Sequence, residues 1–118
     1  MNVEEFRRYC LKKKGVTEEF PFDEHTLVFK VKGKMFALVP LERLPAQANL
    51  KCDPERAIAL REAYDGIIIP GYHMSKVHWN TIYLEGLPPE FLWELIDHSY
   101  HLVVDKLPKK IQSELKSD

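Results

Sequence analysis

The fold is decided by residues 26–38, which read TLVFKVKGKMFAL and have the pattern of a β-hairpin. Large apolar side chains recur at every second position in the first half, which is the period of a strand. Lys32-Gly33 is the predicted two-residue turn, because glycine supplies the positive φ that type I′ geometry needs. This turn places Phe29 opposite Phe36. One face of the hairpin is then predicted to be apolar and buried: Leu27, Phe29, Val31, Phe36 and Leu38.

The segment before the hairpin predicts one helix and one connector. Asn2 is placed to cap a helix over residues 3–14, and Gly15 is placed to end it. Residues 17–24 are rich in carboxylates. We interpret them as a solvated connector and not as cation ligands, because a hard cation needs converging oxygens.

The segment after the hairpin predicts a second group of strands and helices. Asp53 and Pro54 are placed as the N-cap and the first residue of a helix that Gly66 ends. The patterned segments, in order, are a strand at residues 49–52, this helix, strands at residues 67–69 and 79–84, an amphipathic helix from Pro89 to Leu107, and a short tail helix after Pro108.

The order α-β-β-β-α-β-β-α predicts an α+β fold with two layers, in which the helices pack on one face of an antiparallel sheet. A chain of 118 residues has the length of one domain, so we expect residues 1–118 to form a single unit. A hydrophobic fraction of 45% is enough for a buried core.

The charge composition gives no general attraction to polyanions. The 17 Lys and Arg residues are balanced by 18 Asp and Glu residues, and the formal net charge is -1. A nucleic-acid role therefore requires a local basic patch. The run Lys12-Lys13-Lys14 lies in the predicted last turn of a helix, where cations stabilise the exposed carbonyls, and we interpret it as structural.

The two cysteines and the N-terminal sequence bear on the compartment. Cys10 and Cys52 show no C-x-x-C spacing, so they indicate neither a disulfide framework nor a zinc site. No basic and apolar leader is apparent, and no apolar run approaches the ~18 residues of a membrane span. We expect a cytoplasmic protein with no membrane association. Cys52 precedes a predicted helix N-terminus, whose dipole lowers the pKa of a thiol.

A candidate functional surface centres on residues 70–80, PGYHMSKVHWN, which bring histidines, aromatic residues, a lysine and a serine into one loop and its flank. If Ile82 lies in the core, the alternation of a strand places Trp79, Thr81 and Tyr83 on the opposite face. The same face is predicted to include Val28, Lys30, Met35, Ala37, Asn49 and Lys51.

The aromatic and mildly basic character of this face leaves three interpretations open. In the first, it stacks bases or other flat groups while Lys30, Lys51 and Lys76 contact phosphates. In the second, the loop folds over the face as a second small core. In the third, a partner subunit covers it.

Metal binding and catalysis are not favoured at this loop. His73 and His78 are five residues apart with no carboxylate between them. Ser75 lacks the G-x-S-x-G context of an activated nucleophile. We therefore expect a non-enzymatic protein with no metal and no cofactor. His98 and His101, in the predicted long helix, are expected to be boundary or surface residues.

Six short motifs occur in the order and spacing of one known family. They are TLVFKV at residues 26–31, GKMFA at 33–37, NLKCDP at 49–54, PGYHM at 70–74, HWNT at 78–81 and DHSY at 97–100. Together they resemble the MmcQ/YjbR family over nearly the whole chain. In that family Asn often follows Gly-Tyr-His-Met, whereas this sequence has Ser75.

The resemblance implies a two-layer α/β domain similar to the CyaY-like frataxin fold and the secretion-chaperone-like fold. It also implies DNA binding through a double-wing motif, with wings at the hairpin turn around Gly33 and at residues 72–79. Iron binding does not follow from the frataxin analogy, because fold alone does not transfer function. The candidate DNA-contacting residues are Lys30, Lys32, Lys34, Lys51 and Lys76.

Two functions follow as hypotheses. The first is DNA binding by the two wings and the open sheet face, with modest and salt-sensitive affinity because few phosphates would be neutralised. The alternative is a module that binds a small molecule or a protein on the same face. The sequence predicts no particular oligomeric state. The candidate interaction residues for either function are Tyr72, His73, His78, Trp79, Asn80 and Tyr83.

Overall fold

The computed structural model describes residues 1–72 and 74–116, which form four α-helices and six strands. In chain order the elements are α1 (Val3–Leu11), β1 (Val16–Glu19), β2 (Thr26–Val31), β3 (Lys34–Pro40), β4 (Gln47–Lys51), α2 (Pro54–Ala63), β5 (Ile68–Pro70), β6 (Trp79–Tyr83), α3 (Pro89–Val104) and α4 (Lys109–Lys116). A single 3₁₀ turn, Leu84–Gly86, follows β6. No helix within the described residues is long and apolar enough to cross a membrane.

The six strands form one sheet in the order β1-β2-β3-β4-β6-β5, and each neighbouring pair is antiparallel. Helices α1, α2 and α3 supply Phe6, Ala57 and Leu92, among others, to a core on one face of this sheet. The predicted α+β class, with helices packed on one face of an antiparallel sheet, is confirmed.

The helix starts follow the predicted local signals. Asn2 Oδ1 accepts a hydrogen bond from Glu5 N at 2.8 Å, and Asn2 N donates to Glu5 Oε1 at 3.2 Å. This reciprocal capping box satisfies two backbone donors of α1. Asp53 caps α2 by accepting from Arg56 N at 3.1 Å. Helix α1 ends at Leu11, earlier than predicted.

The predicted order of elements missed one strand. β1 occupies the first part of the segment that was predicted as a connector, and it pairs with β2 so that Val16 lies opposite Val31. One of its two glutamates is held by the neighbouring helix, because Glu18 accepts two hydrogen bonds from the guanidinium of Arg7, each 2.7 Å long. An edge strand that is rich in charge lacks the apolar alternation that marks a buried strand, so the sequence pattern did not reveal it.

The hairpin of β2 and β3 has the predicted turn but a different register. Lys32 and Gly33 both have positive φ, 50° and 83°, as a type I′ turn requires. Beyond the turn a β-bulge shifts the pairing. Phe29 therefore lies opposite Ala37, and the prediction that it lies opposite Phe36 was wrong.

The bulge changes which residues of β3 face the helices. Phe36 lies in the core, together with Ala37, which was predicted on the opposite face, and Val39. Leu38, which was predicted in the core, packs against Val28 on the opposite face. These two reversals have one cause: an extra residue inverts the alternation of all later side chains, since the period of a strand is two.

Helix α3 holds the bulge in place. Ser99 Oγ donates to Phe36 O at 2.5 Å and accepts a hydrogen bond from Lys51 N at 2.9 Å. The ring of Tyr100 meets that of Phe36 edge to face, with centroids 5.6 Å apart. Ser99 is fully buried. Through this serine, α3 joins β3 to β4 near the hairpin turn.

Candidate functional site

The face of the sheet opposite the helices, here called the second face, is not open at its centre. Val28, Leu38 and Trp79 are buried there, and Met35 and Met74 pack against them. Met74 belongs to the loop between β5 and β6, so this loop forms a second small core, as one of the three interpretations predicted. Strand register places on the second face Val28, Lys30, Met35, Leu38, Gln47, Asn49, Lys51, Trp79, Thr81 and Tyr83.

The loop is anchored to β6 at its start. Gly71 N donates to Trp79 O at 3.0 Å, and Tyr72 N donates to Thr81 Oγ1 at 3.1 Å. A Cβ atom on Gly71 would lie 2.8 Å from Trp79 Cβ and 3.0 Å from Trp79 O. These distances are shorter than Cβ atoms normally keep from other heavy atoms. The absence of a side chain at Gly71 therefore permits this close approach.

Replacing Gly71 by alanine is expected to lower the free energy of unfolding by about 2 kcal/mol, because the added methyl group overlaps the backbone of β6. Urea denaturation followed by circular dichroism measures this change. Ser75→Ala, in the exposed part of the same loop, is the control and is expected to shift stability by less than about 0.5 kcal/mol. Equal effects of the two substitutions would show that the close contact at Gly71 is not made in solution.

The predicted interaction residues lie in different environments. Tyr72 and His78 are exposed, and Tyr83 is half-buried. Trp79 is only 5% exposed, so its ring is not available as an open stacking surface. His73 lies outside the described residues.

The prediction of Asn80 as a surface residue was wrong. Asn80 is 1% exposed and lies on the face that packs against the helices, where its amide donates to Ala57 O at 3.4 Å. The reason is the period of a strand: Trp79 and Thr81 point to the second face, so the residue between them points to the core.

The predicted lysines differ in exposure and in ion pairing. Lys32, Lys34 and Lys76 are exposed. Lys30 is half-buried and forms an ion pair with Glu19 of β1, with 3.2 Å between Nζ and Oε1. The unpredicted strand β1 therefore neutralises one of the five proposed DNA contacts.

Lys51 is partly buried and lies near two other lysines. Burial lowers its pKa most, and repulsion by Lys106 and Lys34 lowers the pKa further. Its ammonium group lies 5.7 Å from the ring centroid of Trp79. We call the group formed by Lys34, Lys51 and Lys106 the basic end. Sequence reasoning missed Lys106, because nothing local relates a residue after α3 to the hairpin.

A cavity of about 420 Å³, here called the basic cavity, opens beside the basic end. Burial raises the pKa of the Cys52 thiol to about 11, which outweighs the helix dipole expected to lower it. Asp53 N donates to His98 Nε2 at 3.1 Å, and burial together with Arg56 lowers the pKa of that histidine. The cavity therefore combines cations with an unreactive thiol. Its lining residues are Lys51, Cys52, Asp53, Pro54, His78, Trp79, Leu102 and Lys106.

A second cavity, of about 410 Å³, lies toward the other end of the second face, and we call it the sheet-face cavity. Gln47 and Asn49 line it and are only 5% and 9% exposed. Thr81 Oγ1 donates to Asn49 Oδ1. The guanidinium of Arg43 lies 4.1 Å from the ring centroid of Tyr72. Sequence reasoning missed this cavity, because Gln47 and Arg43 lie between the predicted hairpin and the predicted strand at residues 49–52, where no element was predicted.

Three carboxylates of the acidic segment, those of Glu18, Glu19 and Asp23, form contacts within the protein. Asp23 Oδ1 accepts hydrogen bonds from His25 N at 2.8 Å and Thr26 N at 2.7 Å, and these bonds lower the pKa of Asp23. Glu18 and Glu19 are paired with basic side chains. Over residues 1–72 and 74–116, no group of three or more His, Cys, Asp or Glu side chains could hold a metal ion.

Comparison with known proteins agrees with the resemblance of the sequence motifs. The family model described as YjbR matches residues 11–102. The chain is 36% identical over 112 residues to the uncharacterized protein YjbR of Escherichia coli K12, covering 93% of each chain. It is 37% identical over 111 residues to the uncharacterized protein YbdF of Escherichia coli O157:H7, covering 93% of this chain and 90% of that one.

A solved structure shares the fold over the full length. The crystal structure of Deinococcus radiodurans protein DR2400, which carries the DUF419 family domain, superposes with a TM-score of 0.92 at 42% identity. The superposition covers 99% of this chain and 89% of that one. With a family match over most of the chain and curated relatives above 30% identity, the chain belongs to the YjbR family.

Proposed function

We propose that the chain is a non-enzymatic domain that binds DNA through the basic end. The observation that carries this proposal is the grouping of Lys34, Lys51 and Lys106. Lys51 and Lys106 line the basic cavity, and burial, followed by repulsion from Lys106 and Lys34, lowers the pKa of Lys51. None of the three forms an ion pair with any other described residue. A bound phosphate would relieve this repulsion, and the group is the local basic patch that a chain of net charge -1 needs.

The positions of the exposed lysines support the proposal. The tight turn between β2 and β3 carries Lys32, with Lys34 directly after it, and the loop between β5 and β6 carries exposed Lys76. Both hairpins therefore present cations, as a double-wing contact requires. Few lysines take part, so the affinity is expected to be modest and to fall steeply with salt.

The chemistry of the basic cavity favours binding over catalysis. The Cys52 thiol stays protonated near neutral pH, because its pKa is raised to about 11. The carboxylate of Asp53 caps α2 by accepting from Arg56 N. Within residues 1–72 and 74–116, neither the thiol nor this carboxylate is hydrogen-bonded to a basic side chain, as an activated nucleophile would be.

The double variant Lys34→Ala/Lys106→Ala tests the proposal. Each lysine that contacts a phosphate contributes about 0.9 to the slope of log affinity against log salt, so the slope should become shallower by about 2. Fluorescence anisotropy of a labelled duplex, measured at several salt concentrations, gives the slope.

The control is Arg8→Ala/Arg61→Ala, which removes the same charge from α1 and α2 outside the basic end. It should leave the slope unchanged. Two results would refute the proposal: no salt-dependent binding by the unaltered protein, or the same change of slope in both double variants. Circular dichroism establishes that each variant is folded.

A further inference from the structure

We infer that the sheet-face cavity binds a neutral, planar ligand that presents adjacent hydrogen-bond donors and acceptors, which is the chemistry of a nucleobase edge. This site uses none of the lysines of the basic end. The inferred ligand site can therefore be tested separately from the proposed DNA contact.

The first observation is a pair of amide side chains, on two largely buried residues, that line the cavity. The side-chain amide of Gln47 makes no hydrogen bond to any described residue, although the residue is only 5% exposed. Asn49 uses its Oδ1 to accept from Thr81, which leaves its NH₂ group for another partner. Among the described residues, the buried side-chain polar atom without a partner is Asn80 Oδ1, on the other face of the sheet, so the amide groups of Gln47 and Asn49 are accessible from the cavity. They can supply the few polar contacts that orient a ligand in a mainly apolar site.

The second observation is the shape and character of the walls. Leu38, Pro40 and Met74 supply apolar surface, and Phe22 and Tyr72 supply aromatic rings. The volume of about 410 Å³ lies in the range of small-molecule sites. Apolar walls with a few polar groups at one place suit a flat ring that forms hydrogen bonds through the atoms at its edge.

The third observation is the balance of charge around the cavity. Asp23 lines it as a carboxylate held ionised by backbone N–H groups, and Arg43 lines it as a cation. An anionic ligand would face Asp23, and a cationic ligand would face Arg43. A neutral ligand avoids both repulsions.

The amide groups of Gln47 and Asn49 restrict the expected ligand to a narrower chemical class. Asn and Gln side chains recognise bases through one donor and one acceptor, which match adjacent groups on the base edge. The ligand has two possible sources, a free nucleoside or an unpaired base of a strand. The second is geometrically feasible, since Gln47 and Lys51 lie on the same face of β4, roughly 13 Å apart along the strand.

Isothermal titration of the full chain with adenosine, guanosine, cytidine and thymidine tests the inference. At least one nucleoside should bind saturably, whereas ribose and benzoate should not bind. Gln47→Met keeps the length of the side chain and removes the amide, and it should weaken binding about tenfold. Lys34→Ala/Lys106→Ala should leave nucleoside affinity unchanged, which separates this site from the DNA contact.

A second experiment shows whether the bound base comes from a free nucleoside or from a single strand. A single-stranded oligonucleotide rich in the preferred base is compared with one of equal length that carries abasic positions. If strands supply the base, the first binds more tightly and Gln47→Met removes the difference. If free nucleosides supply it, the two oligonucleotides bind equally while the nucleoside still binds.

The inference is overturned if no nucleoside binds the folded protein at millimolar concentration, or if ribose or benzoate binds as well as the nucleosides. Equal affinity of Gln47→Met and the unaltered chain would overturn it too. If that variant does not fold, NMR of the unaltered protein decides, because ligand should shift the side-chain amide signals of Gln47 and Asn49. Unmoved signals at saturation would refute the assigned contacts.

Discussion

Replacing Phe36 by alanine is expected to lower the free energy of unfolding by about 4 kcal/mol, a large part of the stability of a small domain. The ring is fully buried and contacts Tyr100 of α3 edge to face. Alanine would leave a cavity between the bulge of β3 and the helix layer, which the rigid sheet cannot close. Urea denaturation, followed by circular dichroism and tryptophan fluorescence, measures the loss.

Leu38→Ala is the matched comparison for Phe36→Ala. A regular hairpin would place both residues in the main core, but the bulge puts Leu38 in the small cluster with Val28 and Trp79. Its truncation is expected to cost about 2 kcal/mol, since this cluster is small and lies beside the sheet-face cavity. A larger loss for Leu38→Ala than for Phe36→Ala would contradict the bulged register.

Replacing Ser99 by alanine is expected to lower the free energy of unfolding by about 3 kcal/mol. The substitution removes one oxygen but leaves two backbone groups without a partner, the carbonyl of Phe36 and the N–H of Lys51. Each unsatisfied buried group costs about 1–3 kcal/mol. Chemical denaturation measures the loss, and the slope of the transition shows whether folding remains cooperative.

Ser113→Ala provides the control for Ser99→Ala. Ser113 is exposed on α4, so removal of its hydroxyl should change stability by less than about 0.5 kcal/mol. If Ser99→Ala proved equally mild, the two backbone groups would have found other partners, and α3 would not be fastened to the sheet through this serine.

Ser99 also connects stability with the candidate sites. It fastens Lys51 of β4 beside Phe36 of β3, and the basic end begins at that point. The bulge that Ser99 supports sends Leu38 to the second face, where it lines the sheet-face cavity. One buried hydroxyl group therefore helps to position residues at both ends of the second face.

Several features followed directly from short sequence patterns. The turn at Lys32-Gly33 depends on backbone conformations that glycine favours, and the caps at Asn2 and Asp53 depend on hydrogen bonds that span three residues. The periodicity of α3 also lies within one segment. These signals are local, so the α+β class and most of its elements could be predicted.

The errors at β1 and β3 arose where a distant part of the chain changed a local pattern. The bulge in β3 is supported by Ser99, whose sequence separation from Phe36 is 63 residues. β1 is a strand because β2 and Arg7 hold its charged residues. Asn80 is a different case, since strand alternation alone already places it in the core.

The sequence alone determined the two-layer fold and the face that carries Trp79, Thr81 and Tyr83, because periodicity and turn chemistry act over a few residues. Tertiary structure decided which cations remain free and where the cavities lie. Lys106 joins Lys51 only when α3 crosses the sheet, and Gln47 joins Met74 only when the loop folds back. Charge repulsion and burial depend on distances in space, which the order of residues does not specify.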